Sequence, residues 1–307
     1  MAMDRLIEGF LKDCKIRGLS PNSLPHYVYV LRRYSNFLDR QKCPTTEAGK
    51  EKMRDYIETL RNEAISTKTI KNHLSILSSF YEYLVYEEIV TSNPVLPVRK
   101  RYLKSYKDNG SVHERLLISV EDMANLINST LDIRNKAIIT VLAKTGIRRN
   151  ELASLDVSNV NFVEYKIRLK PTAKRSNRTV FFDDETAVVL RRWLKVRESM
   201  NHKGVPALFL TVEGNRLDRC GIYNLIVKAA EQAGIYDPTS SNGTENHFSP
   251  HCCRHWFTTH LRRAGMRREF IQELRGDSRK EAIDIYDHID LKELKEAYLA
   301  AIPQLGI

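Results

Sequence analysis

The sequence predicts a mainly α-helical protein of two domains, with one small β-hairpin or sheet in the second domain. Three observations lead to this prediction. Apolar residues recur at helical spacing through most of the 307 residues, whereas a strand-like pattern is confined to residues 160–182. Residues 97–113 lack either period and carry several basic residues, which is typical of a linker between domains.

The first domain, residues 1–96, is predicted to be a small helical domain without strands. Its four helices are expected at residues 4–16, 20–38, 51–60 and 66–84, and Asn93-Pro94 closes the last segment. Polar residues of the fourth helix form a ridge that either contacts phosphate or is an ordinary solvated face. The ridge comprises Lys68, Lys71, Asn72 and His73.

The charge of the chain favours a polyanionic partner. There are 49 Lys and Arg residues against 38 Asp and Glu, so the formal net charge is +11. The linker contributes Arg99, Lys100 and Arg101, which are either solvated or in contact with phosphate. Many basic proteins share this property, so charge alone does not identify the partner.

The second domain, residues 114–307, is predicted to be mixed α and β. A capping box begins at Ser119, and a β-hairpin pairs residues 165–169 with residues 179–182 across a basic turn. Further helices are expected at residues 184–200, 218–233, 255–263 and 267–274. The segment 290–302 predicts an amphipathic helix that could fold back on its own domain. Its apolar stripe comprises Leu291, Leu294, Tyr298 and Ile302.

The composition argues against secreted and membrane proteins. Five cysteines without a CxxC pair indicate a reducing compartment rather than a disulfide framework. No apolar run has the length of a membrane span, and the N-terminus lacks the apolar core of a signal peptide. We therefore expect a cytoplasmic protein.

Two arginines, a histidine and a tyrosine follow one another in an order that suits phosphodiester exchange. They lie in Thr145-Gly-Ile-Arg148, in His251-Cys-Cys-Arg254-His255, and at Tyr286. Forked guanidinium groups can stabilise the charge of a pentacoordinate phosphate without a metal. A tyrosine, with a free pKa of about 10, can act as the nucleophile once it is activated. No cofactor is expected. Zinc is disfavoured at Cys252 and Cys253, because no second pair of ligands follows at regular spacing.

These motifs, together with the N-terminal segments Arg17-Gly-Leu-Ser-Pro and Ser66-Thr-Lys-Thr-Ile, resemble tyrosine recombinases of the phage-integrase and Xer type. The resemblance covers nearly the whole chain. It implies a two-domain architecture, with a helical core-binding domain followed by a mixed α/β catalytic domain. It also implies double-stranded DNA with a specific recombination site as the partner, and a tetramer in which the C-terminal helix docks on a neighbouring protomer.

The resemblance also implies a role for each motif residue. Tyr286 would be the nucleophile, and Arg148, His251 and Arg254 the catalytic groups that act on the phosphate. Glu151 would hold Arg148, and His255 would support the site. The family's hairpin lysine matches Lys174, with Lys170 as the alternative, and Arg175 in the same turn would contact DNA. Many relatives have Leu-Gly-His nine residues before the tyrosine; here Arg275-Gly276-Asp277 stands there. Asp277 would orient Arg148 or the tyrosine.

Three functions share these residues. The leading interpretation is a site-specific DNA recombinase that works through a 3′-phosphotyrosyl intermediate and a Holliday junction. An inactive DNA-binding architectural protein is the second, and Asp277 is the reason to consider it. The third is a nicking and closing activity of the type IB topoisomerase kind, which needs no second duplex.

Overall fold

The computed structural model divides the chain into two compact units, residues 1–110 and 111–307. It describes residues 2–103, 117–171, 177–237, 239, 247–277 and 289–307. Each unit has its own apolar core. No helix in these described ranges is both long enough and apolar enough to cross a membrane.

The first unit is helical throughout its described part. Its helices are α1 (Ala2–Ile16), α2 (Leu24–Arg40), α3 (Lys50–Asn62), α4 (Thr67–Tyr86) and α5 (Val95–Tyr102). The side chain of Ser66 caps α4 by accepting a hydrogen bond from the backbone N–H of Thr69 at 3.2 Å. In the core, the hydroxyls of Tyr34 and Tyr81 lie 2.9 Å apart, and burial raises the pKa of both phenols.

Helix α5 lies where the sequence predicts the start of the linker. Val95 and Val98 are buried in the core of the first unit, whereas Arg99, Lys100 and Arg101 are exposed in the last turn. The helix spans only eight residues and contains Pro97, so its apolar spacing is too short to stand out as a helical period. The basic residues are therefore presented on a helix and not on an extended linker.

The predicted ridge on α4 loses one of its members. His73 is buried, its Nδ1 lies 3.2 Å from the hydroxyl of Tyr56, and burial lowers the pKa of its imidazole. Lys68 is exposed, Lys71 is half-buried, and Asn72 lies with its amide 2.8 Å from His26 Nε2. His73 is thus a core residue, and it cannot contact phosphate in this arrangement.

The second unit combines eight helices and three short strands in its described part. The helices are α6 (Val120–Ser129), α7 (Ile133–Thr145), α8 (Arg149–Ser154), α9 (Asp184–Met200), α10 (Arg219–Gln232), α11 (Pro250–Arg263), α12 (Arg268–Arg275) and α13 (Leu291–Ala301). Helix α7 is buried from Ala137 to Thr145 and packs against α9 and α11. The capping box predicted at Ser119 is present, since its hydroxyl accepts from the N–H of Asp122 at 2.9 Å.

The strands form one antiparallel sheet in the order β1 (Val160–Asn161), β2 (Lys166–Arg168) and β3 (Thr179–Phe181). Strands β2 and β3 are the predicted hairpin, with Ile167 opposite Val180. Strand β1 was not predicted as a separate strand, because two residues are too few to show alternation. Helix α11 also begins at Pro250, five residues before the predicted start, and this places His251 and Arg254 on the helix.

Helix α13 folds back on its own unit. Leu294, Tyr298 and Ile302 are buried beside Phe257 of α11, and the Tyr298 hydroxyl donates to the carbonyl of Lys144 at 2.9 Å. The remaining stripe residue, Leu291, is exposed. The amphipathic pattern therefore matches a face buried within the described unit, which is the first of the two arrangements considered for this helix.

Candidate active site

Arg148 lies in a turn that depends on Gly146. Helix α7 ends at Gly146, whose φ of 60° is in the left-handed region, and a Cβ there would meet the Phe257 ring at 2.3 Å. Arg148 then caps α8 and is tied to Glu151 twice. Its backbone N–H donates to Glu151 Oε2 at 2.6 Å, and its Nη1 donates to Oε1 at 3.1 Å. Glu151 thus holds both the backbone and the side chain of Arg148.

Helix α11 carries His251 in its first turn and Arg254 three residues later. Residues three apart lie on the same side of a helix, so both side chains reach the same region. His251 is exposed, whereas Arg254 is buried. Arg254 donates from Nη1 to the carbonyl of Gly146 at 2.7 Å and from Nη2 to that of Arg275 at 2.8 Å. These bonds fix Arg254 beside the turn that carries Arg148.

Asp277 joins the two arginines. Its Oδ1 accepts from Arg148 Nη2 at 3.5 Å and from Arg254 Nη2 at 3.1 Å, while Oδ2 pairs with Arg275 Nε at 3.0 Å. Gly276, in the left-handed region at φ 63°, ends α12 and leads the chain into this contact. The carboxylate that stands in place of the family's histidine is thus directed at the arginines.

A fourth guanidinium, that of Arg178, supports the cluster from the position just before β3. Its Nη1 and Nη2 donate to Glu151 at 2.7 and 3.1 Å, and its Nε donates to the carbonyl of Leu274 at 2.8 Å. Sequence reasoning did not assign Arg178 to the site. A signal was present, because the alternation of β3, continued one residue back, places Arg178 on the same side as the buried Val180.

The electrostatics of the site reflect crowded positive charge. Burial, and next the nearby charge of Arg148 and Arg275, lowers the pKa of Arg254 to about 10, although Asp277 opposes this. Burial also acts to raise the pKa of Glu151, but the hydrogen bonds and charge of Arg178 outweigh it and leave that pKa below its usual value. A bound anion would relieve the repulsion among the arginines.

A cavity of about 400 Å³ opens beside this cluster, lined among others by Arg148, His251 and Arg254. Arg149 and Tyr223 line the same cavity, and sequence reasoning did not assign either residue to the site. His255 follows on α11 and is half-buried. Cys252 and Cys253 are buried, and Cys252 donates its S–H to the carbonyl of His247 at 3.4 Å.

Three of the predicted site residues, Tyr286, Lys174 and Arg175, lie outside the described residues. The alternative hairpin lysine, Lys170, is described, and its ammonium pairs with Asp156. Arg216 pairs with the same carboxylate, which holds Asp156 in ionised form and lowers its pKa. Lys170 is therefore engaged with Asp156.

Two family profiles match the chain. That of the phage integrase family covers residues 114–293, and that of the phage integrase N-terminal SAM-like domain covers residues 6–91. The chain is 28% identical to tyrosine recombinase XerD of Oceanobacillus iheyensis over 98% of this chain and 99% of that protein. It is also 28% identical to tyrosine recombinase XerC of Haemophilus influenzae, over 94% and 93% of the two chains.

Solved structures agree in fold. The Tn1549 transposon integrase in complex with circular intermediate DNA matches with a TM-score of 0.70 at 18% identity, over 95% of this chain and 98% of that one. A lambda integrase dimer bound to a COC′ core site matches with a TM-score of 0.67 at 12% identity, over 94% and 98%. Because one profile spans residues 114–293, more than half of the sequence, the chain belongs to the phage integrase family of tyrosine recombinases.

Proposed function

We propose that this protein is a site-specific DNA recombinase that cleaves and rejoins strands through a 3′-phosphotyrosyl intermediate. One observation carries the proposal. Arg148 and Arg254, which are 106 residues apart in the sequence, converge on a single carboxylate oxygen of Asp277, and both line the same cavity as His251. Two guanidiniums that share one anionic oxygen can also share the oxygens of one phosphate.

The chemistry assigned to the site needs no metal. Arg148 and Arg254 bind the non-bridging oxygens of the scissile phosphate and stabilise the charge that builds up during attack. His251 takes the phenol proton of Tyr286, and the Tyr286 oxygen forms a bond to phosphorus as the bond between phosphorus and the 5′ oxygen breaks. Lys174 gives a proton to the leaving 5′ oxygen. The phosphotyrosyl bond conserves the energy of the broken bond, so a second 5′ hydroxyl can reverse the step.

Asp277 is assigned a positioning role. It bridges Arg148 and Arg254 and so holds both guanidiniums near the place where the phosphate binds. Its contact with Arg275 ties this bridge to the end of α12. Of the two roles considered for Asp277, the contacts support the one in which it orients Arg148.

DNA binding is assigned to both units. In the first unit, basic residues on α4 and α5 would neutralise phosphates, which steers the protein to DNA and makes affinity depend on salt. These residues are Lys68, Lys71, Arg99, Lys100 and Arg101, and Arg175 is assigned the same role in the second unit. Action on DNA and five free thiols also fit the cytoplasmic location that we propose.

Assembly into a tetramer on two duplexes, with exchange through a Holliday junction, completes the proposal. The C-terminal helix is the proposed contact between protomers. Leu291 and Leu299 of α13 remain 55% and 42% exposed after the helix has packed on its own unit, so an apolar surface is left for a neighbour. Leu291→Glu with Leu299→Glu should reduce assembly on DNA, measured by sedimentation, without removing cleavage of a single site.

The test is capture of the covalent intermediate. Sheared DNA of the genome that encodes the chain is incubated with the protein, denatured in detergent, and the strands that remain attached to protein are sequenced. The wild-type chain should yield adducts at one sequence, and Tyr286→Phe should yield none. If the wild-type chain binds DNA but never forms an adduct, it is the architectural protein and the proposal is wrong.

A second measurement separates recombination from nicking and closing. Two duplexes that carry the sequence recovered above, one labelled on each side of the cleavage point, are mixed with the protein. A recombinase joins strands from different duplexes. Relaxation of supercoiled DNA without any exchange between the labelled duplexes would instead show an activity of the topoisomerase kind.

A further inference from the structure

Arg149, the neighbour of Arg148, is held against an aromatic platform inside the active-site cavity. Its guanidinium carbon lies 5.4 Å from the centre of the Tyr223 ring, and both side chains line the cavity with Arg148, His251 and Arg254. The platform is itself fixed by His247, whose Nε2 is 2.8 Å from the Tyr223 hydroxyl. Tyr223 thus presents a supported ring face to Arg149.

The supports of Arg149 differ from those of the other arginines at the site. Arg148, Arg178 and Arg254 each contact Glu151 or Asp277. Arg149 has no carboxylate partner within the described part of the chain, and its contact is with a ring face. A stacked guanidinium keeps the N–H donors at its edge available. Arg149 is therefore a fixed cation with its hydrogen-bonding edge unused by a carboxylate.

We propose that Arg149 binds a DNA phosphate adjacent to the scissile one on the same strand, with Tyr223 as the platform that orients it. The inference rests on the proposed function, because it takes the scissile phosphate to lie at Arg148 and Arg254. Consecutive residues have Cα atoms about 3.8 Å apart, so side chains that diverge from Arg148 and Arg149 can reach consecutive phosphates of a strand. The contact positions the substrate and takes no part in bond breaking.

The inference is tested by neutralising one phosphate at a time. Suicide duplexes that carry the sequence recovered from wild-type adducts are made with a single methylphosphonate at each position flanking the cleavage point. Single-turnover adduct formation is then measured for the wild-type chain and for Arg149→Ala. At one flanking position the methylphosphonate should lower the rate of adduct formation by the wild-type chain about tenfold. This is the factor expected for the loss of one hydrogen bond to a charged group. The same methylphosphonate should lower the rate of adduct formation by Arg149→Ala less than about twofold, because the guanidinium that binds this phosphate is already absent.

Matched variants separate stacking from charge. Arg191 of α9 stacks on Phe162 at 5.2 Å outside this cavity, so Arg191→Ala removes the same kind of side chain and should behave as the wild-type chain does. Arg149→Lys keeps the charge but not the planar fork of donors. It should therefore lose most of the difference in rate between the unmodified and the methylphosphonate duplex. Tyr223→Phe keeps the ring face and should retain this difference in rate, whereas Tyr223→Leu removes the ring and should lose it. Circular dichroism of each variant verifies that the fold is kept.

Each outcome decides one point. If every methylphosphonate slows Arg149→Ala and the wild-type chain by equal factors, Arg149 binds no neighbouring phosphate and the inference fails. If Arg149→Ala instead changes the preferred base at one position, the residue reads a base and the inference also fails. If the wild-type chain forms no adduct on any DNA, the proposed function fails, and that result is distinct from the other two.

Discussion

Two clusters of charged side chains, one buried and one partly exposed, flank the turn at residues 145–147, and their charges are balanced in opposite ways. In the lysine cluster, the fully buried ammonium of Lys144 donates to Asp183 at 2.6 Å, to Glu185 at 2.5 Å and to the carbonyl of Pro303 at 2.7 Å. One cation there faces two carboxylates. The arginine cluster gathers four guanidiniums around two carboxylates: its members are Arg148, Arg178, Arg254 and Arg275 with Glu151 and Asp277.

The difference is between a charge that the chain neutralises by itself and a charge that it leaves partly unbalanced. The lysine cluster is closed by the chain itself, because the backbone N–H groups of Leu305 and Gly306 donate to Glu185 and so hold the C-terminal residues over it. The arginine cluster borders an open cavity and carries more positive charge than its carboxylates can balance. Because like charges held close together repel one another, the surplus favours the binding of an external anion at the arginine cluster.

The lysine cluster should show the largest effect on stability. Lys144→Met keeps most of the side-chain volume but leaves Asp183 and Glu185 without their shared cation. We expect it to reduce the free energy of unfolding by about 3–5 kcal/mol, as for other buried pairs that lose one partner. Lys228→Met, on the exposed side of α10, should change it by less than about 0.5 kcal/mol. Urea denaturation measures the free energy of unfolding of both variants. If Lys144→Met is as stable as Lys228→Met, Lys144 has no structural role.

The arginine cluster should show its largest effect on the reaction. Arg148→Ala is expected to lower the single-turnover rate of adduct formation by about 10²–10³-fold, which is typical when one donor to the transition state is removed. Its side chain is 41% exposed, and Glu151 retains Arg178, so the free energy of unfolding should fall by no more than about 1 kcal/mol. Arg191→Ala serves as the control. If Arg148→Ala loses much stability but little of its cleavage rate, the arginine cluster is structural and the contrast with the lysine cluster is wrong.

Local patterns explain what could be predicted of the fold. Ser66 and Ser119 predict the starts of α4 and α6, because a capping residue and the first turn of its helix are neighbours in sequence. Helix α5 and strand β1 were missed because eight and two residues are too few to show a period, and their existence depends on packing against distant residues. The burial of His73 likewise depends on Tyr56, on another helix.

Spacing also explains what could be predicted of the site. The sequence motifs picked out Arg148, His251, Arg254 and Asp277 as one group, and the structure brings all four together. The partners of Lys144 lie 39 and 41 residues away, and Arg178 meets a carboxylate 27 residues away. No local pattern encodes such contacts, so the lysine cluster and the pairing of Arg178 with Glu151 became visible only in three dimensions.

The pH dependence of stability tests how much the ionised Glu151 contributes to the arginine cluster. Its pKa lies below the usual value of 4.5, so in the folded state it stays ionised to lower pH than in the unfolded state. The stabilisation is complete above that usual value and is lost as the pH falls through the folded-state pKa. The free energy of unfolding should therefore decline as the pH falls below the usual value of 4.5, and Glu151→Gln should flatten this decline. Glu231→Gln, at an exposed position, should follow the wild-type curve.

The smallest effect is expected at Asp277, and it tests the surplus of charge directly. Asp277→Asn retains an oxygen that can accept from Arg148 and Arg254 but removes one negative charge beside the phosphate. Because this carboxylate is 29% exposed, binding of the recovered duplex should tighten by no more than about fivefold at low salt, and less at high salt. Its cleavage rate should stay within about threefold of the wild-type rate, whereas Asp277→Ala, which leaves the arginines without their bridge, should cleave about tenfold more slowly. Fluorescence anisotropy and adduct formation measure the two effects. Weaker binding by Asp277→Asn would mean that the arginine cluster has no surplus charge for DNA to neutralise.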